Sequence, residues 1–283
     1  MILKEEKGVL VIQAPKKAVG FLKIIRPINL LIIGISFFIG FTFVSKPLEY
    51  NLPLVYLLIA ASGYVINDVL DFDADKINNP ERVLPSRLLS QKEAKIIFLA
   101  LVSVFFILNF SYNLKLFFFN NLVFLLVFGY SYYFKKKILV GNLLVSFFTA
   151  SPFVAVAIRF SDFNSLKKLI IFSFLINFIR EIVKDFEDIK GDLHVNGKSF
   201  PIVFGEKKSF NFLFILLIIF FIISVLFYQD VSKKIFYLIF IIVLVNGNNF
   251  ISIYLTKIHK YGIASKILKL NIFLGIGGLW LSN

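Results

Sequence analysis

Four aspartates lie within the stretch 67–75, directly after an apolar run. If that run forms a helix that continues through the stretch, Asp68, Asp71 and Asp75 project from one face, whereas Asp73 points elsewhere. Three carboxylates this close repel one another unless a cation lies among them. The residue types and their spacing therefore indicate a site for a divalent metal ion.

The same spacing recurs in Asp185, Asp188 and Asp192, again at the end of an apolar run. Each copy is followed by a basic residue three positions before a proline, Arg82 after the first and Lys198 after the second. Two acidic clusters at two helix ends, each with a basic loop beyond it, indicate one site for metal ions and a polyphosphate. The alternative is that these charges simply mark helix ends that meet water.

Composition places the chain in a membrane. Of its 283 residues, 58% are hydrophobic and the mean hydropathy is +0.84, whereas soluble chains average about 45–50% apolar residues. The absence of cysteine excludes disulfides and thiolate metal sites. The first residues, 1–17, mix charged and apolar types, and we expect no cleaved signal peptide there.

Nine apolar runs approach the roughly 20 residues that a bilayer-spanning helix needs. They are apolar all round rather than alternating, so they predict helices and not barrel strands. The sixth run is expected to extend into its acidic motif. The approximate bounds of the runs are 27–44, 52–70, 94–114, 117–134, 138–158, 169–183, 210–227, 235–255 and 263–281.

The distribution of positive charge predicts the orientation. Most of the 31 lysines and arginines fall in the N-terminal segment 1–22 and in the connections after the second, fourth, sixth and eighth runs. The positive-inside rule makes these segments cytoplasmic, and both acidic motifs lie among them. Within the eighth run, Asn246, Asn248 and Asn249 are expected either to bond neighbouring helices or to line a pocket.

The first motif and its surroundings resemble the first signature of the UbiA superfamily of intramembrane prenyltransferases. The matching residues are Asn67, Asp68, Asp71, Asp75, Asn79, Pro80, Arg82, Pro85 and Ser86. The second motif resembles the second signature, through Arg180, Glu181, Lys184, Asp185, Asp188, Gly191, Asp192, Gly197 and Pro201. Further matches are Arg26-Pro27, Tyr130-Ser131 and Gly141-Asn142. Arg87 departs from the family, whose members often carry glycine there.

The fold expected from the runs and the resemblance is an all-α membrane protein: a nine-transmembrane-helix bundle around a central cavity, formed by one domain over residues 1–283. The resemblance implies a multi-pass enzyme of the cell membrane with its active site facing the cytoplasm. It implies Mg²⁺-dependent transfer of a prenyl group from a prenyl diphosphate donor to a lipid-soluble acceptor, among membrane lipids. Neither nucleic acid nor an obligatory protein partner is expected.

The resemblance also assigns roles. The implied Mg²⁺ ligands, which would stabilise the departing diphosphate, are Asn67, Asp68, Asp71, Asp75, Asp185, Asp188 and Asp192. The side chains implied to bind the substrate are Asn67, Tyr64, Arg26, Arg82, Tyr130, Lys184 and Lys198. The basic ones suit phosphate oxygens and the aromatic faces suit an allylic cation.

The second signature is most similar to that of the archaeal members. That likeness implies transfer of a geranylgeranyl group from geranylgeranyl diphosphate to the glycerol hydroxyl of geranylgeranylglyceryl phosphate, which forms the second ether bond of archaeal membrane lipids. An aromatic acceptor, as in quinone biosynthesis, is an alternative, because the motifs indicate the diphosphate and not the acceptor. An ion or solute transporter fits less well, since its acidic residues would lie near the bilayer midplane.

Overall fold

The computed structural model describes residues 2–6, 9–13, 16–194 and 199–283, and most of these residues are helical. The chain begins with an antiparallel hairpin of strands β1 (Ile2–Glu6) and β2 (Val9–Gln13), in which Ile2 pairs with Gln13. The all-α prediction did not include this hairpin. The chain divides into two compact units, 1–34 with 49–132 and 35–48 with 133–283.

Unit 1 contains helices α1 to α6, and α2 belongs partly to each unit. Their bounds are α1 Lys16–Ile24, α2 Pro27–Phe43, α3 Asn51–Leu70, α4 Phe72–Asn78, α5 Gln91–Asn109 and α6 Leu114–Tyr132. α3 packs against both α5 and α6. At Gly63 a Cβ would lie 2.3 Å from Val127 Cγ1, so α3 and α6 are in close contact there and a larger residue would require Val127 to shift.

The connection between α4 and α5 is held by its own apolar side chains. Val83, Leu84 and Leu89 are buried in one cluster with Val65 of α3 and Ala94 of α5. Removing these side chains from water fixes a segment that has no long helix of its own. The first acidic motif and the basic loop after it therefore rest on a shared core.

Unit 2 is built around α8, which packs against α7, α10 and α13. Its remaining elements are α7 Val140–Phe160, α8 Phe163–His194, α9 Phe200–Phe204, α10 Glu206–Leu226, α11 Lys234–Tyr237, a π-helix Leu238–Val245, α12 Asn246–Lys257 and α13 Tyr261–Ser282. Short 3₁₀ turns lie at Phe134–Lys136 and Phe227–Asp230.

A π-helix leaves backbone groups out of the ordinary ladder, and amide side chains bond to them here. Asn271 of α13 donates to the Val245 carbonyl at 3.0 Å and to Asn249 Oδ1 at 2.9 Å, and it accepts from Asn248 Nδ2 at 2.9 Å. Asn246 donates to the Ile241 carbonyl at 2.8 Å. Of the two expectations for the asparagines of the eighth run, these contacts favour bonding between helices.

All nine predicted runs overlap helices, but not all of these helices are long and apolar enough to cross a membrane. By length and composition, six segments of the described chain are able to cross a membrane, and a seventh if α1 and α2, bent by 46°, count as one. The six are Asn51–Leu70, Leu114–Tyr132, Val140–Phe160, Glu206–Asp230, Lys234–Lys257 and Tyr261–Ser282. α5 and α8 are not among them, and both carry charged residues at their ends. The chain is a multi-pass membrane protein.

The expected extension of the sixth run is confirmed, because α8 runs unbroken from Phe163 to His194. At about 1.5 Å per residue, its 32 residues measure roughly 48 Å, which exceeds the ~30 Å hydrocarbon core of a bilayer. α8 is therefore longer than a single crossing of that core requires.

Candidate active site

The first acidic motif lies where α3 passes into α4. α3 ends at Leu70, and Asp71 has φ −90° and ψ 3°, so the helix does not continue unbroken as the sequence predicts. The hydrogen bonds nevertheless keep helical spacing, from Asp71 N to the Asn67 carbonyl at 2.9 Å and from Asp75 N to the Asp71 carbonyl at 2.8 Å. Asp68, Asp71 and Asp75 therefore remain on neighbouring turns.

An arginine from a distant part of the chain meets Asp68. Arg26 lies at the bend between α1 and α2, with a left-handed φ of 53°, and its Nη2 donates to Asp68 Oδ1 at 2.7 Å. Its guanidinium also lies over the Tyr64 ring, 4.8 Å from the centroid. Because Asp68 is buried, this cation offsets the cost of removing the carboxylate from water.

Asp75 has a second arginine. Arg82 Nη1 donates to both carboxylate oxygens, at 2.9 and 2.8 Å, and Asn79 Nδ2 donates to Oδ1 at 3.2 Å. The Asp75 residue is only 5% exposed, whereas the Arg82 side chain is 38% exposed. Arg82 therefore joins a buried carboxylate to the surface of the loop.

Two further aspartates of the stretch differ in setting. Asn67 Nδ2 donates to Asp71 Oδ2 at 2.9 Å, so both of these predicted ligands lie side by side. Asp73 points away, with its side chain 92% exposed and paired with Lys76 at 3.1 Å. Tyr130, which the resemblance also implies to bind the substrate, lies in the last turn of α6.

The second motif belongs to the last turns of α8. Glu181 accepts from Arg180 Nη1 at 2.7 Å and from Lys184 Nζ at 3.4 Å, and so holds both cations beside the motif. Asp185 Oδ2 accepts from the backbone N–H of Phe200, the first residue of α9, at 3.4 Å, and Asp188 is exposed. This contact ties α8 to the segment after the basic loop.

Two predicted residues are less fully described. Asp192 belongs to α8, but its side chain lies outside the described residues. Lys198 lies wholly outside them. Among the described residues, no three acidic or histidine side chains converge around a common point.

Sequence reasoning gave no role to Asn79 or Glu181, although both belong to the matched signatures. Asn79 stands four residues after Asp75, and Glu181 stands three before Lys184, which are the spacings at which helical neighbours meet. This spacing in the sequence could have indicated that Asn79 bonds to Asp75 and that Glu181 bonds to Lys184.

A small cavity lies beside the first motif in unit 1. Its volume is about 370 Å³, and its lining includes Phe72, Arg87, Ser90 and Glu93 together with Lys17. The hydrogen bond from Lys17 at 2.6 Å, with two more from Ser90, lowers the pKa of Glu93 to about 2. Glu93 is thus anionic at neutral pH and its charge is balanced by Lys17.

The chain is similar in sequence to known proteins. The sequence profile described as the UbiA prenyltransferase family matches residues 30–273. Digeranylgeranylglyceryl phosphate synthase of Pyrococcus furiosus is 34% identical over 195 residues, 67% of this chain and 70% of the relative. The synthase of Methanosphaera stadtmanae is 34% identical over 230 residues, 79% and 83% of the two chains.

The fold of the chain is also similar to those of solved structures. One from a study of digeranylgeranylglyceryl phosphate synthase in membranes has a TM-score of 0.79 at 27% identity, covering 94% of this chain and 98% of the other. A UbiA homolog from Archaeoglobus fulgidus, bound to DMAPP and Mg²⁺, has a TM-score of 0.62 at 18% identity, covering 92% and 99%. The latter shows the fold alone. The profile match covers most of the chain and the relatives exceed 30% identity, so this chain belongs to the UbiA prenyltransferase family.

Proposed function

We propose that this prenyltransferase transfers a geranylgeranyl group from geranylgeranyl diphosphate to the glycerol hydroxyl of geranylgeranylglyceryl phosphate, and so forms the second ether bond of archaeal membrane lipids. The observation that carries the proposal is the first motif, at the end of a membrane helix. There the buried carboxylates of Asp68 and Asp75 each accept hydrogen bonds from an arginine. The printed names of the relatives favour this substrate step over an aromatic acceptor.

Mg²⁺ is the proposed cofactor. The donor set fits it, because carboxylate and amide oxygens are hard ligands. Asn67 and Asp71 are side by side, with Asn67 Nδ2 2.9 Å from Asp71 Oδ2. The proposed ligands are Asn67, Asp68, Asp71 and Asp75 from the first motif, with Asp185, Asp188 and Asp192 from the second. When bound, the metal would act as a Lewis acid that neutralises the diphosphate.

The basic side chains bind the diphosphate in this scheme. Arg26 and Arg82 are already held beside the first motif, and Lys184 beside the second. Lys198 is assigned the same role. Each can donate charge-assisted hydrogen bonds to phosphate oxygens as negative charge grows on the leaving group.

Aromatic faces would stabilise the allylic carbon as it becomes cationic. The Arg26 guanidinium lies 4.8 Å from the centroid of the Tyr64 ring, and this contact supports a cation-stabilising role for the ring. Tyr130 is proposed to act in the same way. Exclusion of water by the apolar helices would keep the allylic cation from being hydrolysed.

The transfer itself needs no strong base. As the bond between the allylic carbon and the diphosphate oxygen breaks, the acceptor hydroxyl oxygen forms the ether bond to that carbon. The diphosphate leaves with the bonding electron pair, and the hydroxyl proton passes to a diphosphate oxygen or to solvent. The chain's residues orient the hydroxyl and hold the charges.

The proposed arrangement is one domain over residues 1–283 with nine spans, in the cell membrane, and with both motifs on the cytoplasmic side across a central cavity. Nine helical regions overlapping the nine runs support the count, and the concentration of lysine and arginine in alternate connections supports the orientation. Labelling of single cysteines introduced beside Asp73 and beside Asp188 from each side of sealed vesicles tests it. Labelling of the two positions from opposite sides would refute the arrangement.

The purified protein should be assayed with geranylgeranyl diphosphate, Mg²⁺ and a panel of acceptors. We expect ether formation with geranylgeranylglyceryl phosphate, loss of activity with EDTA and recovery with Mg²⁺, and a sharp loss with the dephosphorylated alcohol. Equal turnover of the dephosphorylated lipid, or preference for 4-hydroxybenzoate, would contradict the proposed acceptor while leaving prenyl transfer intact.

A further inference from the structure

Three buried hydrogen-bond donors on α8 are not used by either acidic motif. They are Ser173 Oγ, Asn177 Nδ2 and Arg180 Nε, and none has a hydrogen-bond partner among the described residues. Ser173 is 3% exposed and Asn177 is 4% exposed. Buried polar groups are almost always paired in proteins, so three unpaired donors on one helix require an explanation.

These donors share one face of α8. They occur at positions i, i+4 and i+7, which places them within about 60° of one another around the helix and spreads them over roughly 10 Å along its axis. Arg180 is five residues before Asp185, so the line of donors begins next to the second motif and leads away from it towards the middle of the span.

Glu181 and Lys184 complete the end of this line. Glu181 accepts from Arg180 Nη1 at 2.7 Å and from Lys184 at 3.4 Å, so the guanidinium is held in place while its Nε–H stays unpaired. Positive charge is therefore concentrated at the end nearest the motif, and neutral donors follow it into the apolar layer.

The chemistry of the line indicates what it binds. Every unpaired group can donate a hydrogen bond, so the complementary ligand presents acceptor oxygens. An ionisable side chain inside a membrane span, such as Arg180, is by default a functional site. A ligand with an anionic group, then neutral oxygens, then an apolar chain would match the order of charge and polarity along α8.

We propose that Ser173, Asn177 and Arg180 form the subsite for the oxygen-bearing head of the acceptor lipid, an inference that rests on the proposed function. The acceptor phosphate lies towards Arg180, and its hydroxyl and ether oxygens lie towards Asn177 and Ser173. The isoprenoid chain continues past Ser173 among apolar side chains. The reacting hydroxyl is thereby placed on the membrane side of the diphosphate, where the allylic carbon must be.

The test compares Asn177→Leu and Ser173→Ala with the matched control Ser224→Ala. Ser224 is also a buried serine in a membrane helix, but its hydroxyl donates to the Phe220 carbonyl at 2.8 Å and is not part of the line. Each protein is reconstituted in nanodiscs, and equilibrium binding is measured separately for radiolabelled geranylgeranylglyceryl phosphate and for a non-hydrolysable geranylgeranyl diphosphate analogue with Mg²⁺.

We expect Asn177→Leu to weaken binding of the acceptor lipid about 10-fold and Ser173→Ala about 3-fold, with analogue binding within 2-fold of wild type. Ser224→Ala should change neither. Because Asn177 Nδ2 has no hydrogen-bond partner in the part of the chain that the structure describes, the melting temperature of Asn177→Leu should not fall. Ser173→Ala is the smaller change and provides the test if the leucine variant does not fold.

Unchanged acceptor binding in both variants, or equal weakening of both substrates, would refute the subsite. If the wild-type protein turns over the acceptor lipid and both variants bind that lipid as tightly as wild type, the subsite is refuted but the proposed function is not. A wild-type protein that transfers the prenyl group only to an aromatic acceptor would refute the proposed function, and the subsite with it.

Discussion

Replacing Arg82 by methionine should destabilise the protein as well as inactivate it. Arg82 gives Asp75 two hydrogen bonds of 2.9 and 2.8 Å, and the carboxylate is buried. Breaking a fully buried pair costs about 3–5 kcal/mol. The Arg82 side chain is 38% exposed, so solvent screening reduces the expected loss to about 2 kcal/mol, and Asn79 still donates one bond.

A loss of this size should lower the melting temperature by about 4–8 °C, since about 1 kcal/mol corresponds to 2–4 °C in chains of comparable length. The assay is thermal unfolding of the purified protein in one detergent at a fixed scan rate. Lys76→Met is the matched control, because Lys76 makes only exposed contacts among the described residues, an ion pair with Asp73 and a cation–π contact with Phe72 at 4.1 Å. Its loss should shift the melting temperature by less than about 2 °C.

The double variant Arg82→Met with Asp75→Asn separates charge from packing. An amide at position 75 removes the unpaired buried charge, so the double variant should be more stable than Arg82→Met by about 1 kcal/mol or more. Its activity should stay low, since both residues are proposed to bind the metal–diphosphate. The reasoning is refuted if Arg82→Met melts at the wild-type temperature, or if adding Asp75→Asn does not raise the melting temperature of Arg82→Met.

Three further predictions concern other parts of the molecule. Asp71→Ala should reduce the rate at least ~10²-fold in the transfer assay, while Asp73→Ala stays near wild type; similar losses in both would contradict the assignment of faces. Asn271→Leu should lower the melting temperature, because it leaves the Val245 carbonyl and neighbouring amides unpaired; an unchanged value would show that the π-helix needs no such contact. The Glu93 carboxylate, with its pKa depressed from 4.5 to about 2, should stabilise the fold above pH 4.5 and lose that effect as pH falls towards 2. The stability difference between wild type and Glu93→Gln should therefore shrink over that range, and a constant difference would contradict the pKa assignment.

The sequence by itself predicted the features that depend on local patterns. The apolar runs required helices, because a bilayer offers the backbone no hydrogen bonds, and every run overlaps one. The spacing of the aspartates put Asp68, Asp71 and Asp75 on neighbouring turns and left Asp73 outside. The long α8 followed from an apolar run continuing into a polar motif without a proline.

The tertiary structure alone decided the pairing of charges and the position of unpaired groups. Arg26 is 42 residues from Asp68, and nothing in the local pattern selects it over the many other cations. The line of unpaired donors on α8 and the amides that bond to the π-helix depend on which neighbouring helix covers which face. Helix formation depends on residues within a few positions of one another, whereas partner choice depends on packing between distant segments, which a single sequence does not specify.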